Sequence, residues 1–100
     1  MTQIPDLSKL KKFEWDDGNS TKNYKKHQVT QTEAEEIFKN KPLLTISDQK
    51  HSRHEKRYRS LGQTNNDKKL LIIFTIRKKK IRIISVRSQS KKERIIYEQA

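Results

Sequence analysis

Ile81-Arg82-Ile83-Ile84-Ser85-Val86-Arg87, followed across a short polar turn by Ser90-Lys91-Lys92-Glu93-Arg94-Ile95-Ile96-Tyr97-Glu98, is the stretch that decides the fold. The first run is aliphatic and β-branched with charges set into it, which is the composition of a largely buried strand. The second reads as a helix, because the Ser90 side chain suits the Glu93 N–H while the Glu93 carboxylate suits the Ser90 N–H. A sheet edge and a helix start therefore meet among Arg87, Lys91, Lys92 and Arg94, the outline of an anion site. Under regular alternation Ile81, Ile83, Ser85 and Arg87 share one face and Arg82, Ile84 and Val86 the other. Arg82 and Arg87 then point to opposite sides unless a bulge intervenes.

Upstream of this stretch, Leu43–Asp48, Arg57–Thr64 and Leu70–Arg77 each have the length of a strand, joined by connections short enough for antiparallel neighbours. Leu70-Leu71-Ile72-Ile73-Phe74 shows no alternation, so it belongs in the middle of the sheet, covered on both faces. A short strand is expected at Phe13-Glu14-Trp15. Two helices are expected after it. Asn19 or Ser20 caps one running to about His27, with Lys22, Lys25 and Lys26 as its basic face. Thr30 and Glu33 form a capping box for the second, whose Ala34, Ile37 and Phe38 fall on one side before Pro42 forbids continuation. The class expected is α+β: two N-terminal helices, an antiparallel sheet of about four strands and a C-terminal helix. Residues 1–12 read as a flexible extension and 13–100 as one domain.

With 100 residues and 23 Leu, Ile, Val and Phe, the core is thin, and ten of those residues fall between Leu70 and Val86. There is no cysteine to supplement it. No signal peptide is recognisable and no apolar run approaches the ~18 residues of a membrane span, so a cytoplasmic protein is expected. The net charge is +12, and its distribution is lopsided. Met1–Asn40 carries seven lysines and seven carboxylates, whereas Lys41–Ala100 carries 17 Lys and Arg against 5 Asp and Glu. Such density is tolerable on a small sheet if a polyanion covers it, which makes nucleic acid the leading partner and an acidic protein the second. Lys78 to Lys80 read equally well as a phosphate-contacting cluster and as a solvated hairpin tip.

Phe13-Glu14-Trp15-Asp16, then Asn23, Lys26-His27, Val29-Thr30, Glu33-Ala34 and Ile37-Phe38, resemble the opening of the BrnT family of bacterial toxins. Asp48, His51, Glu55, Arg57 and Gly62 resemble that family's middle motif, and Ile81 to Tyr97 its closing block. The resemblance implies an endoribonuclease toxin of a type II toxin-antitoxin pair with a RelE-like fold. It also implies a BrnA-type antitoxin that neutralises the toxin and alone contacts operator DNA. The chain departs from the pattern at Gln28 and Val86, and at Ile76 and Lys78, where the family often has Glu and Gly. No carboxylate is therefore expected from that hairpin.

Metal-free RNA cleavage needs a base for the ribose 2′-hydroxyl, cations for the charge building on phosphorus, and a proton for the leaving 5′-oxygen. Arginine suits the second task, because its planar donors match phosphate oxygens. Arg57, Arg82 and Arg87 are the residues expected there, Arg57 and Arg87 lying also in the shared motifs. Glu55 and His51 are the candidates for proton transfer. Glu55 serves equally as a structural anchor for Arg57, two residues on, and His27 reads better as a helix-end cap. Lys26, Lys78, Lys79, Lys80, Lys91, Lys92 and Arg94 are the cations expected on the RNA backbone. His51 and His54 with Asp48 and Glu55 offer metal-ligand spacing, but Lys50, Arg53, Lys56 and Arg57 oppose a dication, so neither metal nor other cofactor is expected. The alternative to a nuclease is a non-catalytic nucleic-acid-binding module using the same surface. An antitoxin segment laid over that surface would neutralise either by occupying it.

Overall fold

In the computed structural model, residues 6–10, 12–16, 18–19, 28–48 and 55–100 are described. A 3-10 turn at Leu7–Lys9 precedes β1 (Phe13–Glu14), α1 (Gln31–Glu36), β2 (Leu44–Ser47), β3 (Arg57–Gln63), β4 (Lys69–Arg77), β5 (Lys80–Ser88) and α2 (Lys91–Glu98). The strands form one sheet in the order β1-β5-β4-β3-β2, with β1 parallel to β5 and the other neighbours antiparallel.

This corrects the class read from the sequence. The sheet has five strands and is mixed, strands dominate, and two short α-helices are present among the described residues, of which only α1 precedes the long strands. The Phe13-Glu14 segment crosses to the far edge of the sheet and lies parallel to β5, Phe13 opposite Ile81 and Glu14 opposite Arg82. The helix expected up to His27 lies outside the described residues, apart from Asn19. That residue is buried in a turn, where its amide donates to Glu14 O (3.0 Å) and Ile83 O (2.8 Å) while its Oδ1 accepts from Asp16 N–H (2.8 Å). Its side chain thus ties β1 to β5.

Both capping boxes form. Thr30 and Glu33 exchange hydrogen bonds at the start of α1, and Ser90 and Glu93 do so at the start of α2. After α1 the chain continues in turns, and Ile37 and Phe38 drop onto the sheet. Ile37 is fully buried; Phe38 packs edge-on to Phe74 at 5.1 Å and against Phe13 at 5.6 Å. Gly62 is where this approach is closest, since a Cβ there would lie 2.9 Å from Ile37 Cβ.

Cross-strand register separates the two sides of the sheet. Leu70, Ile72 and Phe74 of β4 share a side with Tyr58 of β3 and with Ile81, Ile83 and Val86 of β5, and these make the core under Val29, Ala34 and Ile37. Each fully buried aliphatic of this set contributes about 1.5–3 kcal/mol relative to exposure. Leu7 and Leu10 pack against the same cluster. Tyr58 stacks on Phe74, and Tyr97 donates its hydroxyl to Pro42 O at 2.6 Å. Both rings are therefore engaged in packing. No helix among the described residues is long and apolar enough to cross a membrane.

Candidate functional site

The side of the sheet turned away from α1 carries the cations, and register lines them up. Arg57 of β3 pairs with Thr75 of β4, Thr75 with Arg82 of β5, and Arg82 with Glu14 of β1. Two guanidinium groups thus flank a small threonine on one row of the pleat. Thr75 is buried and its Oγ1 donates to Lys56 O at 2.7 Å, so the floor between the arginines is rigid and low.

A concavity of about 210 Å³ opens over this row, lined by Gly18, Asn19, Glu55, Arg57, Arg77, Arg82 and the Ile83-Ile84 pair. Arg77, at the end of β4, donates from Nε and Nη2 to the two Glu55 oxygens at 3.1 and 3.2 Å. Arg57 Nη2 lies 3.9 Å from Glu55 Oε1. Arg82 donates to Glu14 at 2.9 Å and in a fork to Asp16 at 2.8 and 3.1 Å. The Arg82 fork and the Gly18 N–H (2.8 Å) hold the Asp16 carboxyl below the usual carboxylate range, and Asp16 with Glu14 pushes the Arg82 guanidinium up. Three arginines and Glu55 therefore share one polar hollow, with Arg82 held besides by Glu14 and Asp16.

Arg87 is placed differently. Between Ile73 and Phe74 the β4–β5 register shifts, Ile73 facing Ser85 and Phe74 facing Ile83, so Ile84 has no opposite number. That bulge returns Arg87, opposite Leu71, to the same side as Arg82. It lies two rows further along, about 14 Å of strand away, and outside the hollow. Its guanidinium forks onto Glu93 at 2.8 and 3.0 Å. Arg87, with the Ser90 cap assisting, holds the Glu93 carboxyl down to about 2. In the strand order β5 lies between β1 and β4, but β1 pairs only with Ile81 and Arg82, so among the described residues no strand pairs the outer side of β5 at the corner with α2.

Of the residues expected from sequence, the fold brings together Arg57, Arg82 and Glu55. It leaves Lys91, Lys92 and Arg94 exposed on α2, and Lys78, Lys79 and Lys80 exposed at the β4–β5 tip. His51, His27, Lys26 and the metal-spaced pair His51 and His54 lie outside the described residues. Two cations, Arg59 and Arg77, are not among the site residues expected from sequence. Arg59 follows Arg57 by two and so shares its side, a signal that alternation offered. Arg77 joins the hollow only through strand register, which nothing local encodes.

Beyond the arginine row the same side turns apolar. Leu44, Ile46, Leu61, Leu71 and Ile96 line a groove of about 340 Å³ bordered by Arg59 and Glu93. Ile46, Ile95 and Ile96 are 58, 50 and 51% exposed, large for aliphatics in so small a protein.

Residues 15–93 match the family described as a ribonuclease toxin, BrnT, of type II toxin-antitoxin systems. No curated protein matches the chain. The matched span takes in the whole of β2 to β5, every arginine of the hollow, and the Arg87–Glu93 fork at its end. This chain accordingly belongs to the BrnT family of type II toxin-antitoxin ribonuclease toxins.

Proposed function

We propose that this protein is a metal-independent endoribonuclease that inhibits translation by cutting RNA, and that a BrnA-type antitoxin neutralises it by covering the cationic side of the sheet. The observation that carries the reading is the convergence of Arg57, Arg77 and Arg82 on one hollow that also holds Glu55.

A phosphodiester enters this hollow by exchange. Partly exposed ion pairs contribute only ~0–1 kcal/mol each, so a phosphate displaces the carboxylates from the guanidinium forks at small cost. Arg57 and Arg82, on either side of Thr75, then donate to the two non-bridging oxygens, and their interaction strengthens as charge builds on phosphorus. Glu55, turned away from Arg77 by the incoming phosphate, accepts the 2′-hydroxyl proton. The 2′-oxygen bonds to phosphorus as the bond to the 5′-oxygen breaks, and His51 gives the leaving oxygen its proton. The products are a 2′,3′-cyclic phosphate and a 5′-hydroxyl, with atoms and charge in balance. Arg87, Lys91, Lys92 and Arg94 contact the backbone further along, and operator DNA is reached only through the antitoxin.

One observation favours a second reading, a non-catalytic nucleic-acid-binding module: each arginine of the hollow already has a carboxylate within ion-pair distance. Incubating the purified protein with a defined RNA, with and without chelator, separates the two. Cyclic-phosphate ends that persist in chelator are expected. Cleavage lost with the chelator would replace the metal-independent mechanism, and tight binding without cleavage on free RNA or ribosomes would leave the binding module.

A further inference from the structure

The turn that joins β4 to β5 is built from the wrong residues for its shape. Arg77 and Lys80 pair across it, leaving Lys78 and Lys79 as a two-residue loop, and both have positive φ, 50° and 64°. A hairpin turn with φ > 0 at both central positions is the type that Asn-Gly or Asp-Gly adopts without steric cost. Lysine has no side-chain oxygen to bond its own backbone there, and its Cβ crowds the carbonyl, so the chain forgoes stability at this point. Charge compounds the cost. Arg77, Lys78, Lys79 and Lys80 are consecutive and exposed, and among the described residues no carboxylate lies within ion-pair distance of the three ammonium groups.

We propose that the Lys78–Lys79 tip is a second RNA-contacting element, holding phosphates that flank the one bound in the arginine hollow. It rests on the endoribonuclease reading. The tip directly prolongs the strand end that carries Arg77, so a strand of RNA entering the hollow runs past it. Two compact, strongly hydrated ammonium groups read phosphate as point charges and make no demand on base sequence. A turn that served only to connect two strands gains nothing from two strained, mutually repelling lysines. A backbone-gripping tip does.

The test compares three double variants with the wild-type protein on a 2′-O-methyl single-stranded RNA, which binds but cannot be cut. Lys78→Asn/Lys79→Gly relieves the turn and removes two charges. Lys78→Gln/Lys79→Gln removes the charges alone. Lys39→Gln/Lys41→Gln removes two exposed charges from the far end of the molecule. Both tip variants are expected to lose affinity about tenfold and to flatten the slope of log affinity against log salt by about 1.4, two contacts at ~0.7 each on a single strand. The Asn-Gly variant is expected to melt about 5 °C higher, and the Lys39/Lys41 variant to change the slope much less. Tip variants no different in slope from the Lys39/Lys41 variant would overturn the proposal, as would a lower melting temperature for Asn-Gly. An unchanged RNA slope with weakened polyglutamate binding would assign the tip to an acidic protein and overturn it equally. Because this RNA is uncleavable, a failed tip leaves the cleavage assay standing, and absent cleavage leaves the slope readable.

Discussion

Arg82 and Arg87, five residues apart on β5, face the same side of the sheet because the strand slips by one residue at Ile84 between them. An odd separation on a regular strand would place them on opposite sides. The bulge thus gathers the cationic residues of β5 onto the surface that Arg57 and Arg59 already occupy.

Deleting Ile84 is expected to be tolerated. Without it, Arg82, Ser85 and Arg87 still alternate with Ile83 and Val86, so no side chain changes face. Deletion of Ile72, in the regular part of β4, reverses every residue beyond it and should abolish folding. A cooperative melt for the first variant, destabilised by less than about 2 kcal/mol, and none for the second would be the signature in circular dichroism.

Arg82→Lys should cut RNA at least about 100-fold more slowly while binding it within about threefold of wild type. Lysine keeps the charge but loses the fork that meets Asp16 now and phosphate in the reaction. Equal losses in single-turnover rate and in affinity would contradict this assignment.

Glu55→Gln discriminates proton acceptor from anchor. As acceptor, its loss lowers the cleavage rate by about 10²–10⁴ with little change in melting temperature. If it only positions Arg77 and Arg57, the rate falls modestly and activity at raised pH is not altered in shape. The pH–rate profile reads the difference.

The Arg87–Glu93 fork should make stability acid-sensitive in a defined window. The Glu93 carboxyl is held at about 2 in the fold against an ordinary 4.5. A depressed carboxyl favours the folded state above the unfolded value, so this contribution is complete above about pH 4.5 and lost as pH falls towards 2. Both partners are partly solvated, which limits it to about 1 kcal/mol. Glutamine still completes the helix cap, so Glu93→Gln isolates the ion pair. The gap in stability between wild type and Glu93→Gln should close between pH 4.5 and 2.

Gly62→Ala should destabilise by about 1–3 kcal/mol through overpacking. The added methyl meets Ile37 Cβ at 2.9 Å and Ile37 O at 3.4 Å, and Ile37 is fully buried with nowhere to move. Denaturant melts with an unchanged slope would confirm that stability alone is altered.

Much of this architecture was legible from short-range chemistry. Thr30 with Glu33 and Ser90 with Glu93 announce their helices because a capping box is complete within four residues. The unbroken aliphatic run of β4 announces a strand buried on both sides, and β4 is indeed the middle one of five. Arg57, Glu55 and Arg82 were found as candidates because their charges stand inside or beside strand patterns. Of the two helices expected at the opening, the second forms on its capping box, and the first falls, Asn19 apart, outside the described residues. A two-residue strand such as Phe13-Glu14 acquires its place only from a partner 68 residues away.

Composition and local pattern alone established a small, strongly basic chain whose core lies between Leu70 and Val86 and whose helices start at Thr30 and Ser90. Which cations share a face and which of them meet was settled by tertiary pairing: the slip at Ile84 that turns Arg87 to the side of Arg82, the row Arg57-Thr75-Arg82-Glu14, and the arrival of Arg77 at Glu55. Side chains alternate every residue along a strand, so a single-residue shift in pairing changes which groups share a face. That shift is decided by contacts between distant segments and by nothing within either one.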